Sequence, residues 1–142
     1  MKETLISNHN SVVGVNDTTI HAGDFSFLNL EKTQEIIKQL NGNHVFLRGD
    51  HDKWMGNKQY QDMWKKRIEG ISIIVSHYSM RVWWLSHYGS WNLYGHSHGC
   101  LEPVGKQHDI GVDNNNYFPI SFDQLKDIMA KKPQNFNYIE DR

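Results

Sequence analysis

Histidine and aspartate residues gather at four places in this chain, and each place follows a short apolar run. The chain has nine histidines among 142 residues, and five of the nine fall near these places. Carboxylates and neutral imidazoles are ligands that Mn, Fe, Zn and Ni accept. The residue types therefore indicate a site for a divalent transition metal. The four places are, in order, Gly23-Asp24, Gly49-Asp50-His51-Asp52, Ser76-His77 and Gly95-His96-Ser97-His98.

The apolar, β-branched runs before these places predict strands over 18–22, 44–47, 71–75 and 91–94. Strands lie side by side in a sheet, so side chains at their ends can converge on one ion. A glycine just before the ligand lets the chain turn sharply into a loop. The strand over 71–75 is apolar throughout, which is typical of a strand covered on both faces.

Helices are predicted between these strands, and the alternation indicates an α/β fold. The apolar spacing predicts helices over 2–13, 30–40, 57–67 and 122–131, and a further short strand over 109–112. Asn29 is a candidate cap for the second helix, and Ser121 with Gln124 fits a capping box for the last. We expect a single domain over 1–132 and a polar tail over 133–142.

Composition excludes several classes of protein. With 38% hydrophobic and 22% charged residues, the chain is expected to fold rather than stay disordered. A net charge of −1 gives no overall nucleic-acid footprint. The single cysteine, Cys100, fits a reducing compartment. The chain has no long apolar run, so we predict a cytoplasmic protein without a membrane segment.

The four blocks resemble the metallophosphoesterase superfamily, also called the calcineurin-like phosphoesterases. Its blocks run D-x-H, then G-D, then G-N-H-[DE], then a lone His, then G-H-x-H. This chain carries the last four in the same order, over roughly residues 8–129. The similarity is greatest to a small bacterial and phage-type subgroup, through the stretches 10–14, 76–81 and 111–113.

The resemblance implies metal-dependent hydrolysis of a phosphate ester, in which two ions activate water for in-line attack on phosphorus. His51 would contact the phosphate or protonate the leaving group, and Asp52 would orient His51. Manganese is the first expectation for the metal, with iron, zinc and nickel as alternatives. The metal ligands that the resemblance implies are Asp24, Asp50, His77, His96 and His98.

Two departures from the family pattern bear on activity. No D-x-H precedes Gly23-Asp24, so the first strand of the family's α/β/β/α sandwich is expected to be missing, unless the true start lies upstream. Asp50 stands where the family has Asn. The second metal would keep Asp24, Asp50, His77 and His96, whereas the first would keep only Asp24 and His98. We therefore expect an impaired phosphoesterase.

Other residues near the blocks leave alternatives open. Arg48 and Arg81 are candidates to grip a phosphate, or are surface charges. His9 and His21 are the nearby candidates to replace the missing ligands, although helical spacing favours packing for His9. The aromatic residues over 83–94 fit a core, a partner interface or a platform for a nucleobase.

A rival prediction is a non-catalytic protein that binds a protein partner. Loss of the first block favours this rival. A sheet that lacks an inner strand exposes unpaired backbone groups, which predicts a homodimer. Five tryptophans are available to cover such a surface, at Trp54, Trp64, Trp83, Trp84 and Trp91.

Overall fold

The protein has a mixed α/β fold, seen in a computed structural model that describes residues 1–56 and 60–140. Within these residues three α-helices accompany two β-sheets. The helices are α1 (Lys2–Val12), α2 (Leu30–Ile37) and α3 (Phe122–Ala130). The strands are β1 (Thr18–His21), β2 (Asn43–Phe46), β3 (Met63–Ile68), β4 (Ile71–Ser76), β5 (Trp91–Tyr94) and β6 (Gln107–Asp109).

The two sheets differ in size and in strand direction. β1 and β2 form a two-stranded parallel sheet. The other sheet has the order β3-β4-β5-β6, with β3 antiparallel to β4 and the remaining pairs parallel. A single parallel bridge from Leu47 to Gln61 joins the end of β2 to the segment before β3. The strands predicted over 18–22, 44–47, 71–75 and 91–94 are confirmed, whereas the strand predicted over 109–112 lies earlier, at β6.

The helix predicted over 57–67 is wrong for its described part, because residues from Met63 onward form β3. Residues 57–59 of that prediction lie outside the described residues. Ile68 pairs with Ile71, which leaves Glu69 and Gly70 as a two-residue hairpin loop. Both have positive φ, 50° and 79°, as the twist-matched hairpin turn requires. The turn and the pairing with β4 override the helical spacing.

β4 is buried on both faces, as its sequence predicts. On one face Ile73 and Val75 join Trp91 and Leu93 of β5 in the main apolar core, which Leu125 and Met129 of α3 complete. Ile20, Ala22 and Leu47 bring the smaller sheet into the same core. The two sheets are therefore held against each other close to where β1 and β2 end.

The other face of β4 and β5 carries a buried polar network. Asn92 is fully buried, and its side-chain amide donates to the Ile74 carbonyl and the Ser76 hydroxyl. Its side-chain oxygen accepts from the Met80 backbone and the Gln107 side chain. The side-chain amide of Asn92 thus makes all four of its hydrogen bonds. Its bonds to Ser76 and Met80 hold the start of the loop that follows β4.

The predicted helix caps are confirmed. The Asn29 side chain accepts from the Lys32 backbone at 2.9 Å. Ser121 and Gln124 form the reciprocal capping box of α3. α2 ends at Ile37, three residues before the predicted end, because the chain tightens there into i to i+3 hydrogen bonds such as Leu40 N to Ile37 O.

The segment predicted as a polar tail is docked on the domain over its described part, 133–140. Asn135 is 3% exposed, and its side-chain amide donates to the Ser86 and Ser90 carbonyls. Its side-chain oxygen accepts from the Lys106 backbone at 2.8 Å. Polar composition misled the prediction, since this asparagine serves as a buried connector. No helix within 1–56 and 60–140 has the length and apolar character needed to cross a bilayer.

Candidate metal centre

Three of the predicted ligands meet at the carboxyl ends of three strands. Asp24 follows β1, His77 follows β4 and His96 follows β5. One ligand atom from each lies within 4.8 Å of the others. We call Asp24, His77 and His96 the candidate metal cluster. Its one carboxylate and two imidazoles form a mixed oxygen and nitrogen set suited to a divalent transition metal.

His77 is held with one nitrogen fixed and the other unpaired. Its side chain is 3% exposed, and its Nδ1 lies 2.8 Å from the Ala22 carbonyl. A carbonyl only accepts, so Nδ1 carries the proton, and the neutral ring then has its lone pair on Nε2. Nε2 is buried, has no hydrogen-bond partner and lies 3.4 Å from Asp24 Oδ2. A backbone carbonyl that fixes the tautomer in this way is typical of metal-ligating histidines.

Two glycines allow the close approach of these side chains. A Cβ at Gly23, whose φ is +100°, would overlap the His77 imidazole. A Cβ at Gly49 would overlap Asp24. Asp24 itself has a φ of +56°, which a side-chain-bearing residue rarely adopts. The glycines that precede the aspartates are therefore required by packing as well as by the turn.

The Asp52 carboxylate, predicted to orient His51, binds other donors among the described residues. The carboxylate is 1% exposed and accepts from the backbone N–H groups of Asp24, Gly49 and Ser26 at 2.6, 2.7 and 3.3 Å. The Trp54 indole also donates to it, at 2.9 Å. These donors come from the loops after β1 and β2. Asp52 therefore ties the two loops together and sets the position of Asp24.

His51 lies beside the cluster through its backbone. Its N–H donates to Asp24 Oδ1 at 2.7 Å, which leaves Oδ2 facing His77. Its imidazole packs edge-on against Phe27, with 4.8 Å between ring centroids. Phe27 is 75% exposed, so the His51 ring borders on solvent next to the candidate metal cluster.

Asp50 adjoins the cluster at His96. Its Oδ2 lies 3.5 Å from His96 Nδ1, and its Oδ1 accepts a hydrogen bond from the Tyr78 hydroxyl. That hydrogen bond lowers the pKa of Asp50, with further help from His77 and His96. The same contact raises the pKa of Tyr78. Asp50 is thus kept ionised at the edge of the cluster.

His98 does not join the other predicted ligands. Its Nδ1 lies 2.7 Å from Asp113 Oδ2, on the far side of a turn in which both His96 and His98 have positive φ. The Asp113 carboxylate raises the pKa of His98, so the pair favours the imidazolium form. The His98 side chain is 75% exposed. The turn at Ser97 thus separates the two histidines of the Gly95-His96-Ser97-His98 block.

Arg48 and Arg81, the two candidates to grip a phosphate, each lie over an aromatic ring. Arg48 Nη1 donates to the Gly56 carbonyl at 2.8 Å, and its guanidinium lies 4.7 Å from the Tyr60 ring centroid. The Arg81 guanidinium lies 5.2 Å from the ring centroid of Phe136, in the docked C-terminal segment. Stacking on aromatic rings accounts for both side chains.

The aromatic residues over 83–94 are mainly core. Trp83 and Trp91 are 8% and 6% exposed, and Tyr94 is fully buried. These three side chains are too buried to offer a platform for a nucleobase or a surface for a partner chain. The other three tryptophans, Trp54, Trp64 and Trp84, are partly exposed.

Three further histidines form a second group, the packed histidine cluster of His9, His21 and His44. His21 Nε2 lies 3.0 Å from His44 Nδ1, and the two rings stack with centroids 5.2 Å apart. Burial lowers the pKa of His21 to about 3, helped by the neighbouring His44 and His9. His9 is 6% exposed, so the prediction that it packs is confirmed.

Sequence reasoning missed the residues that position the ligands. Tyr78 directly follows His77, and Asp113 lies in one of the stretches noted for similarity, yet neither had an assigned role. The Ala22 carbonyl carries no side-chain signal at all. Adjacency to a ligand is the one sequence signal that points to Tyr78.

Comparisons with known proteins support the fold without assigning an activity. No protein-family model matches the chain. It is 29% identical over 140 residues to the uncharacterized protein MJ1445 of Methanocaldococcus jannaschii, covering 92% of this chain and 76% of that protein. It resembles the crystal structure of the protein of unknown function AQ665 from Aquifex aeolicus, with a TM-score of 0.65 and 20% identity, over 89% of this chain and 84% of that one. At this identity the structural likeness shows the α/β fold alone.

Proposed function

We propose that the protein is a metal-dependent phosphoesterase whose divalent ion is held by the candidate metal cluster, with Asp50 as a fourth ligand. The proposal includes the metallophosphoesterase type of α/β/β/α layering and manganese as the first metal to test. The order of the four sequence blocks supports it. The meeting of Asp24, His77 and His96 at the carboxyl ends of β1, β4 and β5 supports it independently.

The observation that carries the proposal is the buried, unpaired Nε2 of His77. A buried nitrogen without a partner is unfavourable by about 1–3 kcal/mol. Here its lone pair faces the lone pairs of Asp24 Oδ2 at 3.4 Å, with no proton to share in the neutral tautomer. A cation between the two atoms turns this repulsive contact into an attractive one. The imidazole nitrogen and the carboxylate oxygen thus fit the divalent transition metal that the proposed hydrolysis requires.

The chain's own groups define what would happen around a bound ion. The ion would supply Lewis-acid chemistry to water and to a phosphoryl oxygen. Asp24 offers one free carboxylate oxygen, because the other is occupied by the His51 N–H. We infer that the His51 imidazole, which is exposed and whose backbone N–H holds that carboxylate, would protonate a leaving oxygen. General-acid catalysis of this kind contributes roughly 100- to 10,000-fold.

A second candidate is a one-metal protein that binds ligands or partners without turnover. The specific observation in its favour is the pairing of His98 with Asp113. Among the described residues, the first metal then has only Asp24 left of its predicted ligands. With one metal, the two ions that hold the attacking and the leaving oxygen in a two-metal phosphoesterase are not both available.

Calorimetric titration with Mn²⁺ and hydrolysis of bis(4-nitrophenyl) phosphate test both candidates together. The phosphoesterase proposal expects about one ion bound per chain, and hydrolysis that requires the ion. His51→Ala should reduce hydrolysis by roughly 100-fold or more while leaving Mn²⁺ affinity nearly unchanged. His87→Ala, at a histidine of the short helix before β5, is the matched control and should retain activity.

The outcomes separate the candidates. Tight Mn²⁺ binding without hydrolysis of any phosphate ester supports the one-metal binding protein. Absence of binding at millimolar Mn²⁺, Fe²⁺, Zn²⁺ and Ni²⁺ rejects both. Hydrolysis that survives both His51→Ala and Asp24→Ala would come from another site or from a contaminant.

We further propose that the protein forms a homodimer. β1 pairs only with β2 among the described strands, so its other edge is open to a second chain. Light scattering at micromolar concentration should give about twice the chain mass of 16.7 kDa. A clean monomer mass would reject this proposal.

A further inference from the structure

Tyr78 contacts three of the four proposed ligands. Its ring lies edge-on to those of His77 and His96, with 4.8 Å between centroids in both cases. Its hydroxyl donates to Asp50 Oδ1. The Tyr78 side chain is therefore wedged between the two imidazoles and the one carboxylate that lies outside the candidate metal cluster.

The backbone of Tyr78 is fixed from the buried side of the sheet. Its carbonyl accepts from the Ser76 hydroxyl at 2.7 Å, and that hydroxyl accepts from Asn92 Nδ2 at 3.1 Å. Asn92 is fully buried and uses all its polar atoms. A chain of hydrogen bonds thus runs from the core of β5 to an otherwise exposed carboxylate.

Asp50 depends on this support because it lies at the surface. Its side chain is 43% exposed, and its described partners are the Tyr78 hydroxyl and His96. An exposed aspartate free of such contacts exchanges rotamers, and fixing it in place has an entropic cost. With Oδ1 held by the hydroxyl, Oδ2 is left on the side of His96 and the cluster.

We propose that Tyr78 is a positioning residue that holds Asp50 in place as the fourth metal ligand. The inference rests on the metal site proposed above and extends it to a residue outside the ligand set. The hydroxyl orients the carboxylate, and the ring restricts the two imidazoles. Tyr78 thereby sets the affinity of the site rather than the stability of the fold.

Tyr78→Phe isolates the hydroxyl, because the ring contacts remain. Loss of a hydrogen bond to a ligating carboxylate typically weakens metal binding by about 10- to 100-fold. We expect a loss in that range for Mn²⁺, measured by calorimetry or by competition with a fluorescent chelator. Tyr138→Phe removes a hydroxyl from the C-terminal segment and should leave the affinity unchanged. Thermal unfolding of the metal-free Tyr78→Phe protein should match wild type.

A double-mutant cycle with Asp50→Ala tests whether Tyr78 acts through Asp50. In the Asp50→Ala background, adding Tyr78→Phe should change Mn²⁺ affinity by less than about 2-fold, because no carboxylate is left to orient. The visible absorption of the Co²⁺-loaded protein gives an independent readout. Tyr78→Phe should shift it toward the Asp50→Ala spectrum.

Each result has a defined reading. Wild-type affinity in Tyr78→Phe overturns the inference and leaves the proposed function intact. An equal loss in the wild-type and Asp50→Ala backgrounds also overturns it, since Tyr78 would then act on the imidazoles alone. If the wild-type chain binds no metal, the proposed function and this inference both fail.

Discussion

The two groups of histidines use the same side chain for different purposes. In the packed histidine cluster the rings stack on each other and on Phe46, whose ring lies 4.6 Å from His21. In the candidate metal cluster the imidazoles face a carboxylate. Each group contains one buried nitrogen without a partner, on His44 and on His77. An orphaned nitrogen alone therefore does not mark a ligand.

The neighbours of the orphaned nitrogen make the difference. His44 Nδ1 is paired with another imidazole, and burial lowers the pKa of His44. Its described neighbours are aromatic rings and the backbone carbonyls of Leu40 and Asn41 rather than a carboxylate. His77 has its proton fixed by a backbone carbonyl and an aspartate oxygen 3.4 Å from the free nitrogen. The feature that distinguishes His77 from His44 is a carboxylate next to the unprotonated nitrogen, where a metal ion would bind.

The largest effect should come from His77→Ala, which removes a ligand from the candidate metal cluster. We expect Mn²⁺ affinity to fall by more than about 100-fold, beyond the loss that supporting residues cause. Calorimetric titration measures it. His44→Ala, which removes the equivalent orphan from the packed cluster, should leave the affinity unchanged. An equal loss of Mn²⁺ affinity in His44→Ala would contradict the assignment of metal binding to the candidate metal cluster alone.

For the free energy of unfolding, the order of the two clusters should be reversed: a change in the packed histidine cluster should cost more than a change in the candidate metal cluster. His21→Ala removes a partly buried ring that contacts Phe25, His44 and Phe46, so we expect a loss of about 2 kcal/mol in the free energy of unfolding. The exposed His96 should lose less than about 0.5 kcal/mol when changed to Ala in metal-free protein. Urea unfolding compares the two. Equal losses would mean that His96 also serves as packing.

Acid should destabilise the protein through the packed cluster. The ordinary pKa of histidine is about 6.5, and that of His21 is lowered to about 3 by burial, with smaller contributions from His44 and His9. Between these values the unfolded chain binds more protons than the folded one, so stability falls as pH falls. The slope from His21 reaches about 1.4 kcal/mol per pH unit. Urea unfolding at pH 7.0, 5.5 and 4.5 measures it.

His21→Phe is the variant that sharpens this result. Phenylalanine keeps the aromatic packing and cannot take up a proton, so the slope between pH 7.0 and 4.5 should flatten. An unchanged slope would mean that the acid sensitivity does not come from His21.

The smallest effect should come from His98→Ala. Its imidazole is paired with Asp113 and stands apart from the candidate metal cluster, so we expect Mn²⁺ affinity to change by less than about 3-fold. Titration under the conditions used for His77→Ala gives the comparison. A loss as large as that of His77→Ala would restore His98 as a ligand and imply that it turns inward when metal binds.

Much of the fold was predictable because β1, β2 and β5 are short runs that lead into a glycine, and β4 is a short apolar run. β4 and β5 are apolar enough to be recognised alone, and Ser121 with Gln124 marks the start of α3. β3 was missed because Trp64 and Ile68 also fit a helical stripe. Only pairing with β4, through the turn at Glu69 and Gly70, makes that segment a strand. Such pairing is a tertiary effect that propensity does not contain.

The sequence predicted the candidate ligands better than the residues and backbone conformations that position them. Strand-end positions brought Asp24, His77 and His96 together as expected. The role of Asp52 was not predictable, because its partners are backbone N–H groups that carry no sequence signal. The separation of His98 from the other predicted ligands depends on left-handed backbone at Asp24, His96 and His98. Residue type alone does not reveal this backbone conformation.

That left-handed backbone has a consequence for the free energy of folding. Asp24, His96 and His98 have φ values of 56°, 62° and 48°, and such conformations are each unfavourable by about 1–3 kcal/mol. The whole domain is held by only about 5–15 kcal/mol. Glycine would relieve the strain at any of the three, yet the chain keeps a side chain at each. At these three positions the fold therefore gives up stability that glycine would restore, and it does so in or next to the candidate metal cluster.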